Sequence, residues 1–126
     1  MRAIETEMLT AIINREAFQQ ANTEVKQFRN LNTALVFLHG NLIAEIDYNT
    51  GTATYYSAGW KTATTKSRLN ALGSLFHTSV YQRKWTWYVS SYANPTDPYD
   101  PEFTEGVTAT NTQMIRTNPL LEGVAA

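Results

Sequence analysis

The segment from Thr33 to Ser57 constrains the fold more than any other part of this 126-residue chain. Residues 33–39 form an apolar run, which is typical of a strand covered on both faces or central in a sheet. Gly40-Asn41 then favours a tight turn, and residues 42–47 alternate between apolar and polar side chains. Asn49-Thr50-Gly51 favours a second turn before another short strand. The segment therefore predicts three antiparallel strands joined by two hairpins.

Two helices are predicted outside this sheet. The first spans residues 3–18, where apolar side chains recur on one helical face. These side chains are Ile4, Met8, Ala11 and Ile12. The second is a short helix that ends near Phe76, with Leu69 and Leu72 on the same buried stripe. One of three threonine hydroxyls is expected to cap its N-terminus. The candidates are Thr62, Thr64 and Thr65.

Two further segments have strand character. Residues 23–28 are polar with two apolar anchors, which predicts an edge strand. Residues 80–90 form either one strand, with Trp85 and Trp87 on the same face, or two short strands with a turn near residues 82–84. The predicted fold is therefore α+β: an N-terminal helix, an antiparallel meander of four to five strands, one inserted short helix and an extended C-terminal tail.

Charge and proline content divide the chain near residue 92. Residues 1–92 carry nine Lys/Arg and six Asp/Glu, a net charge of +3, whereas residues 93–126 carry one arginine and five acids, a net charge of −4. Three prolines within residues 95–101 exclude regular helix there. The expected organisation is a compact domain of residues 1–92 and an extended, acidic, proline-containing tail of residues 93–126. Either the tail lies on the basic body, or both carry solvated surface charge.

Aromatic and basic residues concentrate between Gly59 and Tyr88. This stretch holds all three tryptophans and five of the ten basic residues. Indole rings stack on bases or fill protein pockets, and cationic side chains neutralise phosphates. The stretch therefore predicts a binding surface. Its candidate residues are Trp60, Lys61, Thr64, Thr65, Lys66, Arg68, Arg83, Lys84, Trp85 and Trp87.

A purely structural interpretation competes with this one. Trp85 and Trp87 suit a core if they share one strand face, and Trp60 suits a plug between helix and sheet. Arg68 suits an ordinary ion pair with Glu45 or Asp47. A net charge of +3 on the body is modest for a nucleic-acid binder, so affinity would come from local clustering.

Catalytic and metal chemistry find little support in the sequence. The chain has no cysteine, and its two histidines, His39 and His77, lie in no recognisable nucleophile motif. No glycine-rich phosphate loop follows a strand. The acids of residues 97–105 resemble calcium ligands, but the prolines interrupt the loop that such a site needs. We therefore expect a non-enzymatic protein without cofactor, metal or membrane partner.

Two parts of the central region resemble small proteins of tailed bacteriophages. The first is Leu38-His39-Gly40-Asn41-Leu42-Ile43-Ala44. The second runs from Gly59-Trp60 through Thr62, Thr64-Thr65 and Ser67-Arg68-Leu69-Asn70-Ala71-Leu72. The resemblance covers about residues 33–88 and implies a phage protein that acts inside an infected bacterium. It implies no catalytic residue.

Two functions follow as expectations. The first is a small phage-type binding protein that engages a host or defence protein, or nucleic acid, through the aromatic and basic surface. It would act in the cytoplasm of the infected bacterial host. The second is a virion structural component, held to neighbouring subunits by a C-terminal arm of residues 93–126. That arm would also support a homo-oligomer.

Overall fold

The structure is a computed structural model, and it describes residues 1–90 and 100–118. Two α-helices lie in this part of the chain, α1 (Ala3–Asn14) and α2 (Ala63–Phe76). Eight strands accompany them: β1 (Phe18–Gln20), β2 (Thr23–Phe28), β3 (Thr33–Leu38), β4 (Asn41–Asp47), β5 (Thr52–Tyr55), β6 (Ser79–Arg83), β7 (Thr86–Ser90) and β8 (Val107–Thr110). A short 3-10 helix, Thr112–Met114, follows the last strand.

The main sheet has six antiparallel strands in the order β1-β2-β3-β4-β5-β8. Its first five strands form a meander, because each pairs with its neighbour in sequence. The predicted α+β fold with two helices is confirmed. The sixth strand, β8, comes from the segment predicted to be a tail, and it pairs with β5 from Thr52↔Thr110 to Tyr55↔Val107.

Strands β6 and β7 form a separate two-stranded sheet, so the alternative with two short strands is the correct one for residues 80–90. The turn between them consists of Lys84 and Trp85, which have positive φ angles of 50° and 69°. This turn reverses the chain and separates the two tryptophans. Trp85 lies at the tip of the hairpin, whereas Trp87 lies within β7. The expectation that both rings share one strand face is therefore wrong.

The helices cover one face of the main sheet. Helix α1 packs against β1, β2 and α2, and α2 packs against β4, β5 and β6. The predicted stripe on α2 is confirmed, because Leu69, Leu72 and Phe76 are all buried. Tyr48 fixes α1 to the sheet, since its buried hydroxyl donates to the carbonyl oxygen of Ile12 at 2.7 Å. No helix among the described residues is long and apolar enough to cross a membrane.

An irregularity in β4 determines which side chains enter the core. Val36 pairs with Ala44 but the next residue, Phe37, pairs with Leu42, so Ile43 is an extra residue in the β4 strand. Such a bulge changes the alternation of side chains along a strand. Ile43 is buried beside Ala44, and Leu42 is only half-buried. The simple alternation predicted for residues 42–47 therefore fails at its start.

The predicted tail is part of the domain over residues 100–118. Phe103, Ala109 and Met114 belong to the same buried cluster as the residues of the sheet and helices. Glu102 also forms a β-bridge with Tyr88. The described part of the predicted tail is thus not separate from residues 1–90, and the boundary at residue 92 needs this correction. Residues 93–99 and 119–126 lie outside the described residues.

Candidate binding surface

The structure divides the ten predicted site residues into an exposed, a half-buried and a buried group. Five are exposed: Trp60, Lys61, Arg83, Lys84 and Trp85. Thr64 and Lys66 are half-buried, and Thr65, Arg68 and Trp87 are buried. Only the first two groups are available to a partner.

Arg68 belongs to the interior, and its partner is Glu5 rather than Glu45 or Asp47. The Arg68 Nη1 atom lies 2.8 Å from Glu5 Oε2, and the two side chains are 3% and 2% exposed. Its remaining nitrogens donate to Thr23 Oγ1 at 3.0 Å and Asn22 Oδ1 at 3.3 Å. The guanidinium is therefore neutralised and bonded inside the fold. The prediction that Arg68 lies at a binding surface is therefore wrong.

The other two buried residues also have structural roles. Trp87 is 2% exposed and packs its ring edge-to-face against Phe103, with 5.7 Å between the ring centroids. Thr65 belongs to the first turn of α2, where its amide donates to the hydroxyl of Thr62 at 3.1 Å. Of the three candidate caps, Thr62 is therefore the N-cap residue.

Two exposed indoles contrast with this core. Trp60 is 65% exposed in the loop before α2, and Trp85 is 92% exposed at the hairpin tip. Fully burying a large aromatic side chain removes about 150–250 Å² from water, at about 25 cal/mol per Å². Because each of these rings stays exposed, the isolated chain lacks about 3–5 kcal/mol of hydrophobic stabilisation that burial of the ring would provide.

The β6–β7 hairpin returns along α2 and carries its tip towards the start of that helix. The Asn70 side chain donates to the Val80 carbonyl at 2.8 Å and accepts from the Val80 amide at 2.7 Å, which places β6 beside the middle of α2. Arg83 lies three residues further on, or about 10 Å at ~3.3 Å per strand residue. That length equals about seven helical residues at ~1.5 Å each. Strand β6 therefore leaves Asn70 in the direction of the start of α2.

Four cations accompany the two indoles along the chain. Lys61 follows Trp60, Lys66 lies one turn before Asn70, and Arg83 and Lys84 precede Trp85. Within residues 1–90 and 100–118, none of these four cations has a carboxylate partner, whereas Arg68 does. We call Trp60, Lys61, Lys66, Arg83, Lys84 and Trp85 the Trp60–Trp85 surface.

Two tyrosines extend this surface along the hairpin. Tyr81 and Tyr88 are paired across β6 and β7, and their rings stack with 5.7 Å between centroids. The Arg83 guanidinium lies over the Tyr88 ring at 4.7 Å, a cation–π contact that holds the hairpin side chains in order. The sequence analysis missed Tyr81. The signal was present, since Tyr81 and Tyr88 are symmetric about the Lys84-Trp85 turn.

A cavity of about 390 Å³ opens beside Trp60. Its walls come from the β3–β4 turn, the loop after β5 and the first turn of α2. The apolar part of the lining includes Leu38, Ile43 and Trp60, and the polar part includes His39, Asn41 and Thr64. Both segments that resemble phage proteins contribute to it. Sequence reasoning did not identify this cavity, because turns 20 residues apart must fold before they face each other.

The two histidines and Ser57 lie at turns and at a strand end of the described residues. These residues contain no cluster of three or more His, Asp or Glu side chains that could hold a metal ion. His77 ends α2 in a left-handed conformation with a φ angle of 58°, and His39 occupies the β3–β4 turn at 51°. The Ser57 hydroxyl is engaged by the carboxylate of Glu105, and the Ser57 amide also donates to Glu105 at 2.8 Å. This pair fixes the end of β5 to the segment before β8.

Comparisons with known proteins give one match. A family model described as Kyanoviridae Gp96 protein matches residues 1–118. The match includes both helices and all eight strands, and it extends beyond the region of residues 33–88 on which the resemblance to phage proteins was based. No curated protein and no solved structure matches the chain.

Proposed function

We propose that this chain, which belongs to the Kyanoviridae Gp96 family of cyanophage proteins, is a non-enzymatic phage protein that binds single-stranded nucleic acid. The binding site is the Trp60–Trp85 surface. According to this proposal, the protein acts in the cytoplasm of the infected host cell, without a cofactor.

One observation carries the proposal: two indoles are 65% and 92% exposed, and the cations next to them in the chain have no carboxylate partners among the described residues. A large apolar ring at a hairpin tip does not stabilise the fold, because it stays in contact with water. It does provide a flat surface on which a base can stack, at about 1–3 kcal/mol per base. The neighbouring ammonium and guanidinium groups then meet the phosphates.

The choice between nucleic acid and an acidic protein partner rests on geometry. Trp85 and the Tyr81–Tyr88 stack lie along one hairpin, with the Arg83 guanidinium against the Tyr88 ring. The open ring of Trp85, with Lys84 and Arg83 before it in the chain, suits a stacked base flanked by phosphates. A protein partner usually requires one concave pocket for each indole instead. Because the whole chain has a net charge of −1, the attraction to phosphates comes from the cations of this surface and not from the charge of the whole protein.

Fluorescence anisotropy with short single-stranded DNA and RNA at several salt concentrations tests the proposal. Four phosphate contacts predict a slope of about −3 in a plot of log K against log salt. Lys84→Ala should reduce this slope by about 0.7, and Trp85→Ala should weaken binding about 5- to 150-fold at every salt concentration.

Lys26→Ala is the matched control, because Lys26 is an exposed lysine on the main sheet that lies over the Phe37 ring at 5.2 Å. It should leave binding unchanged. The proposal is overturned if no strand binds at low salt, or if Lys84→Ala and Trp85→Ala bind as well as Lys26→Ala. Binding to a host protein that depends on Trp60 and Trp85 would favour the protein partner instead.

A virion component is the second candidate, and exposed apolar side chains on the uncovered face of the main sheet favour it. Phe28 is 37% exposed and Leu31 is 60% exposed, and both line a shallow depression on that face with Leu35. A neighbouring subunit would cover these side chains. The originally expected arm could contribute only through residues outside the described ranges, since residues 100–118 pack within the domain. Detection of the protein in purified particles at a fixed stoichiometry would support this role over an intracellular one.

A further inference from the structure

The cavity beside Trp60 has the composition of a slot for a flat heterocycle. Its floor is apolar, because Leu38 and Ile43 are both buried. The Trp60 indole stands at its mouth and remains 65% exposed. Its volume of about 390 Å³ lies within the range of small-molecule sites, which is about 300–1,000 Å³.

Three polar side chains on the cavity lining are free to bind a ligand. Within the described residues, the His39 and Thr64 side chains have no hydrogen-bond partner, and Asn41 makes only a contact of 3.5 Å to the His39 carbonyl. The other hydroxyls differ in this respect, because Ser57 bonds to Glu105 and Thr65 bonds to Thr62. Hydrogen-bond donors and acceptors around an apolar cavity suit the polar edge of a base.

Both turns that line the cavity are held in left-handed conformations. His39 and Gly40 have φ angles of 51° and 76°, and Ala58 and Gly59 have φ angles of 56° and 78°. Glycine adopts this region freely, but a residue with a Cβ atom loses about 1–2 kcal/mol there. Strain of this kind concentrates at ligand sites, where it fixes the geometry in advance. The second turn is closed by the Trp60 amide, which donates to the Ser57 carbonyl at 2.9 Å.

We propose that this cavity binds one unstacked nucleobase, with the base against the Trp60 ring and its phosphate directed towards Lys61. This inference rests on the proposed nucleic-acid binding, and it adds that one base leaves the strand and enters a pocket. Lys61 is exposed and follows Trp60 directly in the chain, so its ammonium group is available to that phosphate. The base can come from a free nucleotide or from a strand, since the recognised chemistry is the same.

The test uses the full chain carrying Trp85→Ala, so that Trp60 is the only strongly exposed indole among the described residues. Nucleoside monophosphates and short oligonucleotides are titrated while tryptophan fluorescence is followed, with ribose 5-phosphate as the ligand that lacks a base. Stacking on Trp60 should quench its emission. Ribose 5-phosphate should not.

Thr64→Phe fills the cavity from the first turn of α2, and Thr6→Phe is its control on an exposed threonine of α1. We expect Thr64→Phe to weaken base binding about 5- to 150-fold, which is the effect of losing one stacked base. Thr6→Phe should have no effect. Asn41→Ala removes one polar group without filling the cavity, and it should reduce the preference between purine and pyrimidine monophosphates or between oligonucleotides of different sequence.

The outcomes separate this inference from the function on which it rests. If Thr64→Phe weakens the binding of both monophosphates and oligonucleotides, the cavity is a site for nucleotides. If it weakens the binding of oligonucleotides alone, the cavity binds a base that belongs to a strand. If oligonucleotides bind equally well to the Thr64→Phe and Asn41→Ala variants, the base pocket is refuted and surface binding stands. If monophosphates bind but oligonucleotides bind neither to the Trp85→Ala variant nor to the chain with Trp85 intact, the proposed function fails and the pocket stands. If neither ligand binds to either chain, both are overturned.

Discussion

Replacing Glu5 by alanine should lower the free energy of unfolding by about 3–5 kcal/mol, because it leaves the Arg68 guanidinium buried without a counter-charge. The Glu5 carboxylate accepts from Arg68 Nη1 at 2.8 Å, from Ser67 Oγ at 2.6 Å and from the Arg2 amide at 3.1 Å. Glu5→Gln keeps the shape and an acceptor oxygen but loses the charge. Its cost should be smaller, about 1–2 kcal/mol, because neutral hydrogen bonds are weaker than charge-assisted ones.

The same pair should make stability depend on pH. Burial raises the pKa of Glu5, but the hydrogen bonds from Ser67 and Arg2 and the charge of Arg68 outweigh it, so the pKa lies below its ordinary value of 4.5. A lowered folded-state pKa means that the unfolded chain takes up a proton first as the pH falls. The contribution of Glu5 is therefore fully present above pH 4.5 and is lost as the pH falls through the folded-state pKa.

Urea unfolding at neutral pH and at several acidic pH values measures both effects. Glu7→Ala is the control, because Glu7 is an exposed acid on the same helix, and surface substitutions usually change stability by less than about 0.5 kcal/mol. Replacing Glu5 by leucine and Arg68 by methionine together should restore much of the loss, since no charge is then left buried. The reasoning is refuted if Glu5→Ala costs no more than Glu7→Ala, or if stability in Glu5→Gln has the same acid dependence as in the parent.

Three further predictions concern the core. Burial raises the pKa of Tyr55 to about 12, so stability should decline as the pH rises from 10 towards 12, when Tyr55 ionises only in the unfolded chain. Tyr55→Phe should reduce that decline in alkaline urea titrations, and the remainder comes in part from Tyr48, whose pKa is also raised by burial. Gly73→Ala should destabilise by about 1–3 kcal/mol despite the better helix propensity of alanine, because the new methyl group would collide with the Thr78 carbonyl; a higher thermal midpoint would contradict this. Trp87→Ala should cost about 3–5 kcal/mol and Trp85→Ala less than about 0.5 kcal/mol, whereas equal losses in denaturant titrations would contradict the burial of only one ring.

Much of the fold follows from local patterns in the sequence. The turns after residues 38 and 47 and the alternation around them predict hairpins, because strand side chains alternate and left-handed turns favour glycine. The stripe of Leu69, Leu72 and Phe76 predicts a helix whose observed end is Phe76. Such patterns depend on residues close together in the chain, so the sequence alone is sufficient to predict them.

The candidate surface was only partly predictable, because burial depends on distant partners. Arg68 and Trp87 have the composition of binding residues, yet Glu5, 63 residues earlier, and Phe103, 16 residues later, place them in the core. The proline content of residues 93–126 likewise indicated a tail, but β5 offered a free edge that β8 completes. The sequence by itself determined which segments are helices and strands and that aromatic and cationic side chains gather between residues 59 and 88. Only the tertiary structure decided which of those side chains face water, because an ion pair or a core contact forms when the fold brings its two members together.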